Sequence, residues 1–365
     1  MATSDALAAR IGKVFDACRG VEKILLMNTG AQDPNFVYIT GFASGLFEYS
    51  YLILERGSAT LVTSVLEYET AKEQAVQGLE VVRMDSSEQL RELMSKALDG
   101  RSVGINEAFM PVMAYKSLKK NHKPRRVVDV SGAFSKARLV KDKAEIASIR
   151  KAVGVTKMAL MLIQKEFKEG MTERELAAKF DGLSASLGSD EPSFKTIVCF
   201  GKNAALPHHF PDETRLKYGD IILIDAGARC SNYCSDMTRT FIFGRDKPSI
   251  SRVDEKEEMV KVAKEAQVMA IRAIRPGVRG KDIDKVARDH IEGFGGGKYK
   301  GKFIHSLGHS VGIEVHDGAG FSPNEETVLE EGMVITAEPG IYINGFCGVR
   351  IEDDVLVTKD GALVL

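Results

Sequence analysis

The sequence predicts an α+β protein in two domains: a smaller N-terminal α/β unit over residues 1–135 and a larger domain over 136–365 with a largely antiparallel sheet. Three observations lead there. At 365 residues the chain is long for a single domain. Its strand and helix signals segregate more than they alternate, which argues against a run of parallel βαβ units. The character of the sequence changes near 135–142, where short strand candidates give way to a long amphipathic helix.

The elements follow in order. Residues 1–20 read as an amphipathic helix with Leu7, Ile11, Val14, Phe15 and Cys18 on one face, and without the apolar stretch of a secretory signal. Strand candidates are 23–28, 49–55 and 59–64, the last two separated by the turn signal Arg56-Gly57-Ser58. The run 66–76 is helix-like, and 88–98 has helical spacing through Leu90, Leu93, Met94 and Leu98. Past the boundary, 141–167 carries Ile146, Ile149, Val153 and Leu160 on one stripe of a helix that Gly170 stops. Thr172 and Glu175 form a capping box for a second helix over 173–188. Strands are predicted at 195–199, 220–225 and 236–243. Helices follow at 254–275, ending before Pro276-Gly277, and at 281–292, with a flexible glycine-rich loop at 293–301. The last predicted strands are 313–316, 333–343 and 349–358. No period of 20–50 residues repeats, so solenoid and propeller folds are excluded.

Composition narrows the function. The formal net charge is −1, so no global basic field attracts nucleic acid. The basic segment 119–126 lacks interleaved aromatic residues and reads as a solvated connector. No apolar run approaches the roughly 18 residues that a membrane span needs. Five cysteines, an odd number in a chain large enough to fold without staples, suit a reducing cytoplasm. Cys230 and Cys234 have no second Cys or His pair nearby to complete a zinc site, so they read as structural or incidental.

The chemistry concentrates in the second half. Five of the seven histidines fall in two windows: His208 and His209, then His305, His309 and His316. Asp225 ends a run of four aliphatic residues and Asp236 begins a second strand, with small residues between them, so a hairpin would bring both carboxylates together. Two bare carboxylates at close range raise each other's pKa, and a divalent cation removes that penalty. Glu338 and Glu352 repeat the pattern across a turn near Gly345 and Gly348, and His309 adds an imidazole from a glycine-rich loop. Taken singly each acid has a structural alternative; Glu352, for instance, could pair with Arg350. Four such acids in apolar strands weaken that alternative. Oxygen-rich ligands with one imidazole suit two divalent cations, Mn, Co, Zn or Fe, and bridging carboxylates would set them roughly 3.5–4 Å apart.

These segments resemble the pita-bread metallopeptidases: prolidase (Xaa-Pro dipeptidase), aminopeptidase P and methionine aminopeptidase. The resemblance runs through ALPHH at 205–209, IDAGARCSNYCSDMTRTF at 224–241, HSLGHSVGIEVHD at 305–317, ITAEPGIY at 335–342 and GVRIEDDVLVT at 348–358. It includes RLVKDKAEIASIRKA at 138–152, and NFVYITGF at 35–42 is similar to a stretch of the N-terminal domain of prolidase and creatinase relatives. The fold it implies is a pita-bread catalytic domain behind a smaller creatinase-like α/β domain. The ligand set it implies has Asp225 binding one metal in bidentate fashion, Asp236 and Glu352 bridging, and His309 and Glu338 completing the second. No ligand position is substituted, which argues against the family's metal-free branches.

The implied activity is hydrolysis of the Xaa-Pro bond in dipeptides by a hydroxide between two divalent metals, Mn or Co foremost, with Zn or Fe as alternatives. The substrate is then a peptide with proline after its N-terminal residue. Glu338 would move the water proton, His305 and His316 would stabilise the oxyanion, and His208, His305, His316 and Arg350 would contact substrate. A homodimer is implied as well. Two alternatives stay open: an Xaa-Pro aminopeptidase acting on longer peptides, and a non-catalytic peptide-binding protein on the same fold.

Overall fold

A computed structural model describes residues 4–246 and 252–365. The chain divides into two compact units, Met1–Arg138 and Leu139–Leu365.

The first unit is a mixed six-stranded sheet of β1 (Lys23–Met27), β2 (Tyr51–Glu55), β3 (Ser58–Thr63), β4 (Leu79–Arg83), β5 (Ser102–Ile105) and β6 (Arg126–Asp129). The spatial order is β4-β3-β2-β1-β5-β6. Its helices are α1 (Ser4–Ala17), α2 (Pro34–Thr40), α3 (Tyr68–Gln74), α4 (Ser87–Leu98), α5 (Val112–Asn121) and α6 (Ser131–Leu139). Leu7, Ile11, Val14 and Phe15 are buried on α1, as their spacing requires. Met94 and Leu98 of α4 and Leu118 of α5 cover Leu25, Ile53, Val103 and Ile105 of the sheet.

The second unit opens with α7 (Lys143–Ile163) and α8 (Glu173–Ser186). The Thr172–Glu175 capping box forms, and a second one, Asp142 with Glu145, starts α7. Then come β7 (Glu191–Pro192), β8 (Ile197–Phe200), β9 (Ile221–Ala226), β10 (Ala228–Cys230), β11 (Tyr233–Cys234), β12 (Met237–Ile242), α9 (Val253–Ala273) and α10 (Gly280–Gly293). The chain ends with β13 (Val334–Ala337), β14 (Gly340–Ile343), β15 (Cys347–Arg350), β16 (Asp353–Thr358) and β17 (Gly361–Val364). Among the described residues every ladder in this unit is antiparallel. Met259, Val262, Ala266 and Ala270 of α9 and Ile283 and Ala287 of α10 bury against Ile221, Leu223, Ile335 and Val349. On other strands α7 packs through Ala152 and Val155 against Ala228 and Cys230. The small residues let helix and strand backbones approach closely.

Three predicted elements are revised. The strand expected at 313–316 is a bent segment. Gly312 N donates to Glu314 O and Asp317 N to Ser310 O, so the segment closes on itself instead of joining a ladder. The single strands expected at 333–343 and 349–358 are each two strands. β13 pairs with β16 up to Ala337↔Asp353, and β14 pairs with β15 from Gly340↔Arg350. Glu338-Pro339 and Ile351-Glu352 fill the gap between the ladders. Pro339 has no amide hydrogen to give, which breaks the ladder where the two glutamates need to turn inward.

Candidate functional site

The site forms where these strand ends meet. β9 and β12 pair with Asp225 opposite Thr238, and Asp236 immediately precedes β12. The connection is the β10–β11 hairpin, whose turn residues Ser231 and Asn232 both have positive φ, as mirror-image two-residue turns require. The expected hairpin between Asp225 and Asp236 is therefore present. His309 arrives on the 305–321 loop. A Cβ at Gly308 would lie 1.9 Å from Thr336 O, so only glycine lets this loop lie flat against β13.

One cavity of about 790 Å³ is lined by His208, Asp225, Asp236, His305, His309, His316, Glu338, Arg350 and Glu352. All nine residues singled out in the sequence meet there. His309 Nε2 lies 3.5 Å from Asp236 Oδ2 and 3.3 Å from Glu338 Oε1. Asp236, His309 and Glu352 each offer a ligand atom within 4.8 Å of the others. His309 Nδ1 donates to Val315 O at 3.0 Å, which fixes the tautomer and leaves Nε2 facing the carboxylates. The His309 and His316 rings are 4.1 Å apart.

Neighbouring side chains hold the acids. Thr238 Oγ1 donates to Glu352 Oε2 at 2.6 Å and Thr336 Oγ1 to Glu338 Oε1 at 3.2 Å. Asp354, buried beside them, accepts the Asp236 amide at 3.0 Å. Arg239 donates to Glu352 O, and Gln267 of α9 donates both to Ala337 O and to Asp353 Oδ2, stapling the strands at the gap. Arg350 has 3% exposure. It donates through Nε to Thr238, through Nη1 to Tyr342 and through Nη2 to Asp225 Oδ2 at 2.6 Å. The Tyr342 hydroxyl passes the chain on to His305 Nε2 at 2.8 Å, while His305 Nδ1 donates to Ser306 O.

The electrostatics are those of an anion cluster out of water. Burial, then the charges of Asp225 and Glu338, push the Asp236 carboxyl well above its ordinary range. Burial, then Asp236 and Glu338, do the same to Glu352. Burial drives Glu338 and Asp354 up to about 7 each. It drives His305 down to about 4, and burial with the neighbouring His309 also lowers His316. Both rings are therefore neutral at pH 7.

Divalent cations fit this donor set. Asp225 Oδ1, Asp236 Oδ1 and Glu352 Oε1 are buried and meet no hydrogen-bond donor. Leaving such atoms unpaired costs several kcal/mol each unless a cation takes them. A second cluster, Glu173, His209 and Asp212, shows the contrast. Glu173 already accepts from Phe200 N, Asn203 Nδ2, His209 Nε2 and Asp212 N. Its oxygens are satisfied, so this cluster braces the loop that carries His208.

Sequence reasoning missed Thr238, Thr336 and Asp354, although a signal existed: each is two residues from a named acid, hence on the same face of a strand. Tyr342 lay within a quoted segment without a role. Gln267 and Arg239 had no local signal, because their partners are 70 or more residues away. Cys230 and Cys234 are free thiols buried in the β10–β11 hairpin.

Comparison with known proteins identifies the family. The profile of metallopeptidase family M24 matches residues 147–359, and that of the creatinase/prolidase N-terminal domain matches residues 19–140. The Xaa-Pro dipeptidase of Pyrococcus horikoshii is 40% identical over 333 residues, 91% of this chain and 90% of that protein. The structure of an Xaa-Pro dipeptidase from Bacillus anthracis superposes with a TM-score of 0.88 at 30% identity, covering 99% of this chain and 97% of that one. The X-Pro aminopeptidase from Thermotoga maritima gives 0.86 at 31% identity, covering 96% and 97%. The chain thus belongs to metallopeptidase family M24, as a pita-bread peptidase with a creatinase-type N-terminal domain and a family requirement for divalent metal ions.

Proposed function

We propose that this protein hydrolyses the bond between an N-terminal residue and proline, in dipeptides foremost, with two divalent cations held by Asp225, Asp236, His309, Glu338 and Glu352. The observation that carries this is the set of buried, unpartnered carboxylate oxygens converging on one imidazole. Manganese or cobalt suits that oxygen-rich set best, ahead of zinc or iron. When bound, the cation pair supplies an acidified water and a Lewis acid for the scissile carbonyl.

The chain's own residues do the rest. Glu338, on the cavity wall beside His309, accepts the water proton and returns it to the leaving nitrogen. His316, neutral and on the cavity wall, donates to the developing oxyanion. His208 lines the same wall and contacts the substrate backbone. His305 is held by Tyr342 and shapes the pocket beside it. Arg350 fixes Asp225 and presents positive charge to a substrate carboxylate. The proline nitrogen carries no hydrogen, so a pocket that asks for no N–H donor at that position accepts it.

The Thermotoga structure supports a second reading, an Xaa-Pro aminopeptidase, because a likeness of the same quality carries that name. One experiment separates them: metal analysis, then cleavage of an Xaa-Pro dipeptide and an Xaa-Pro-Yaa tripeptide with manganese or cobalt added. Cleavage of the tripeptide alone would replace the dipeptidase reading. Cleavage of neither by metal-loaded protein would favour a non-catalytic binding protein. A homodimer in a reducing cytoplasm completes the proposal; the free thiols suit such a compartment, and light scattering tests the dimer.

A further inference from the structure

Lys141 is 4% exposed, and its side chain is fully buried, just before the start of α7. Its ammonium donates to Ser310 Oγ at 2.9 Å and to Leu139 O at 3.3 Å, and lies 3.8 Å from Asp317 Oδ2. Ser310 directly follows His309, and Asp317 directly follows His316. The ammonium therefore reaches, across 169 residues or more, the two positions adjoining His309 and His316.

The loop between those positions is folded tightly over it. Asp317 N donates to Ser310 O at 2.7 Å, closing the loop at its base. Ser310 Oγ donates onward to Val334 O at 3.2 Å, tying the loop to β13. A Cβ on Gly312 would stand 1.9 Å from Asp317 Oδ2 and 3.2 Å from Lys141 Cε. On the cavity side the same loop supplies Val315 O, which orients His309.

A buried ion pair is a poor device for stability, since well-packed apolar residues hold an interior equally well or better. What this one does is fix geometry at both ends of one loop. We propose that Lys141, paired with Asp317 and Ser310, is a positioning residue that sets the His309 ring for metal binding and holds the His316 ring beside it. The inference rests on the proposed ligand role of His309.

The test is cobalt(II) titration of chelator-treated protein, followed by visible absorption and calorimetry. His309→Ala first identifies the cobalt-binding step that depends on the imidazole. The double variant Lys141→Met/Asp317→Asn removes both charges together, so neither is left buried alone. Its melting temperature should stay near the parent's. The His309-dependent step should weaken by roughly 10–100-fold with an altered cobalt spectrum, the other step staying unchanged. Ser310→Ala, which keeps the ion pair, should weaken the same step by about tenfold and decides the matter if the double variant does not fold. Parental affinity in both steps would overturn the inference, as would an equal loss in both steps that tracks a drop in melting temperature. If His309→Ala changes neither step, the ligand reading itself falls, and this inference with it.

Discussion

Glutamine at position 338 should stabilise the metal-free protein at alkaline pH and leave it nearly unchanged at acid pH. Burial, opposed by His309 and Arg350, raises the Glu338 carboxyl from 4.5 to about 7. A group whose folded-state pKa is raised contributes stability that is fully present below 4.5 and lost as pH rises through about 7. At pH 8 the ionised carboxylate therefore costs the metal-free fold about 3 kcal/mol. Glutamine keeps the shape and cannot ionise, so Glu338→Gln escapes that cost. The assay is thermal unfolding of chelator-treated wild type and variant between pH 4.5 and 8.5. The variant's advantage should open from near zero to roughly 6–12 °C across that span. Added manganese should reverse the order at pH 8, because the cation favours the ionised form that glutamine lacks. A difference that stays constant with pH, or a variant less stable than wild type at pH 8 without metal, would refute the electrostatic argument.

Three further outcomes are expected. Apparent manganese affinity should fall at least tenfold per unit as pH drops from 7 to 5, because the raised carboxyls of Asp236, Glu352 and Glu338 must lose protons to bind; equilibrium titration with a flat profile would contradict this. Tyr342→Phe should cost about 1–2 kcal/mol in urea unfolding, since Arg350 Nη1 loses its acceptor and His305 its donor, and should lower kcat more than it raises KM. Glu173→Leu should destabilise by about 3 kcal/mol or more, because four donors lose one buried acceptor. Metal stoichiometry should remain that of the parent, a result that separates the bracing cluster from the cavity cluster.

Much of the catalytic unit was legible because its signals are local. Capping at Thr172, the apolar stripe of α7 and the fold-back between Asp225 and Asp236 each depend on residues a few positions apart. The carboxylates stood out because a charge inside an aliphatic strand needs a partner, and the sequence offers too few nearby cations to pair them all. The strand at 313–316 failed for the same reason in reverse. Its apolar and β-branched residues fit a strand, but the Asp317–Ser310 bond and the close fit of Gly312 fold the segment into a bend.

From the sequence alone came the two-part organisation, the family and nine of the residues that line the cavity, since those depend on residue type and order. The tertiary structure alone decided where the last strands break, which nitrogen of His309 faces the acids, and how Arg350 is divided among Thr238, Tyr342 and Asp225. Periodicity records which face of an element is apolar. Hydrogen bonds between residues a hundred positions apart leave no periodic trace, and they aim the side chains.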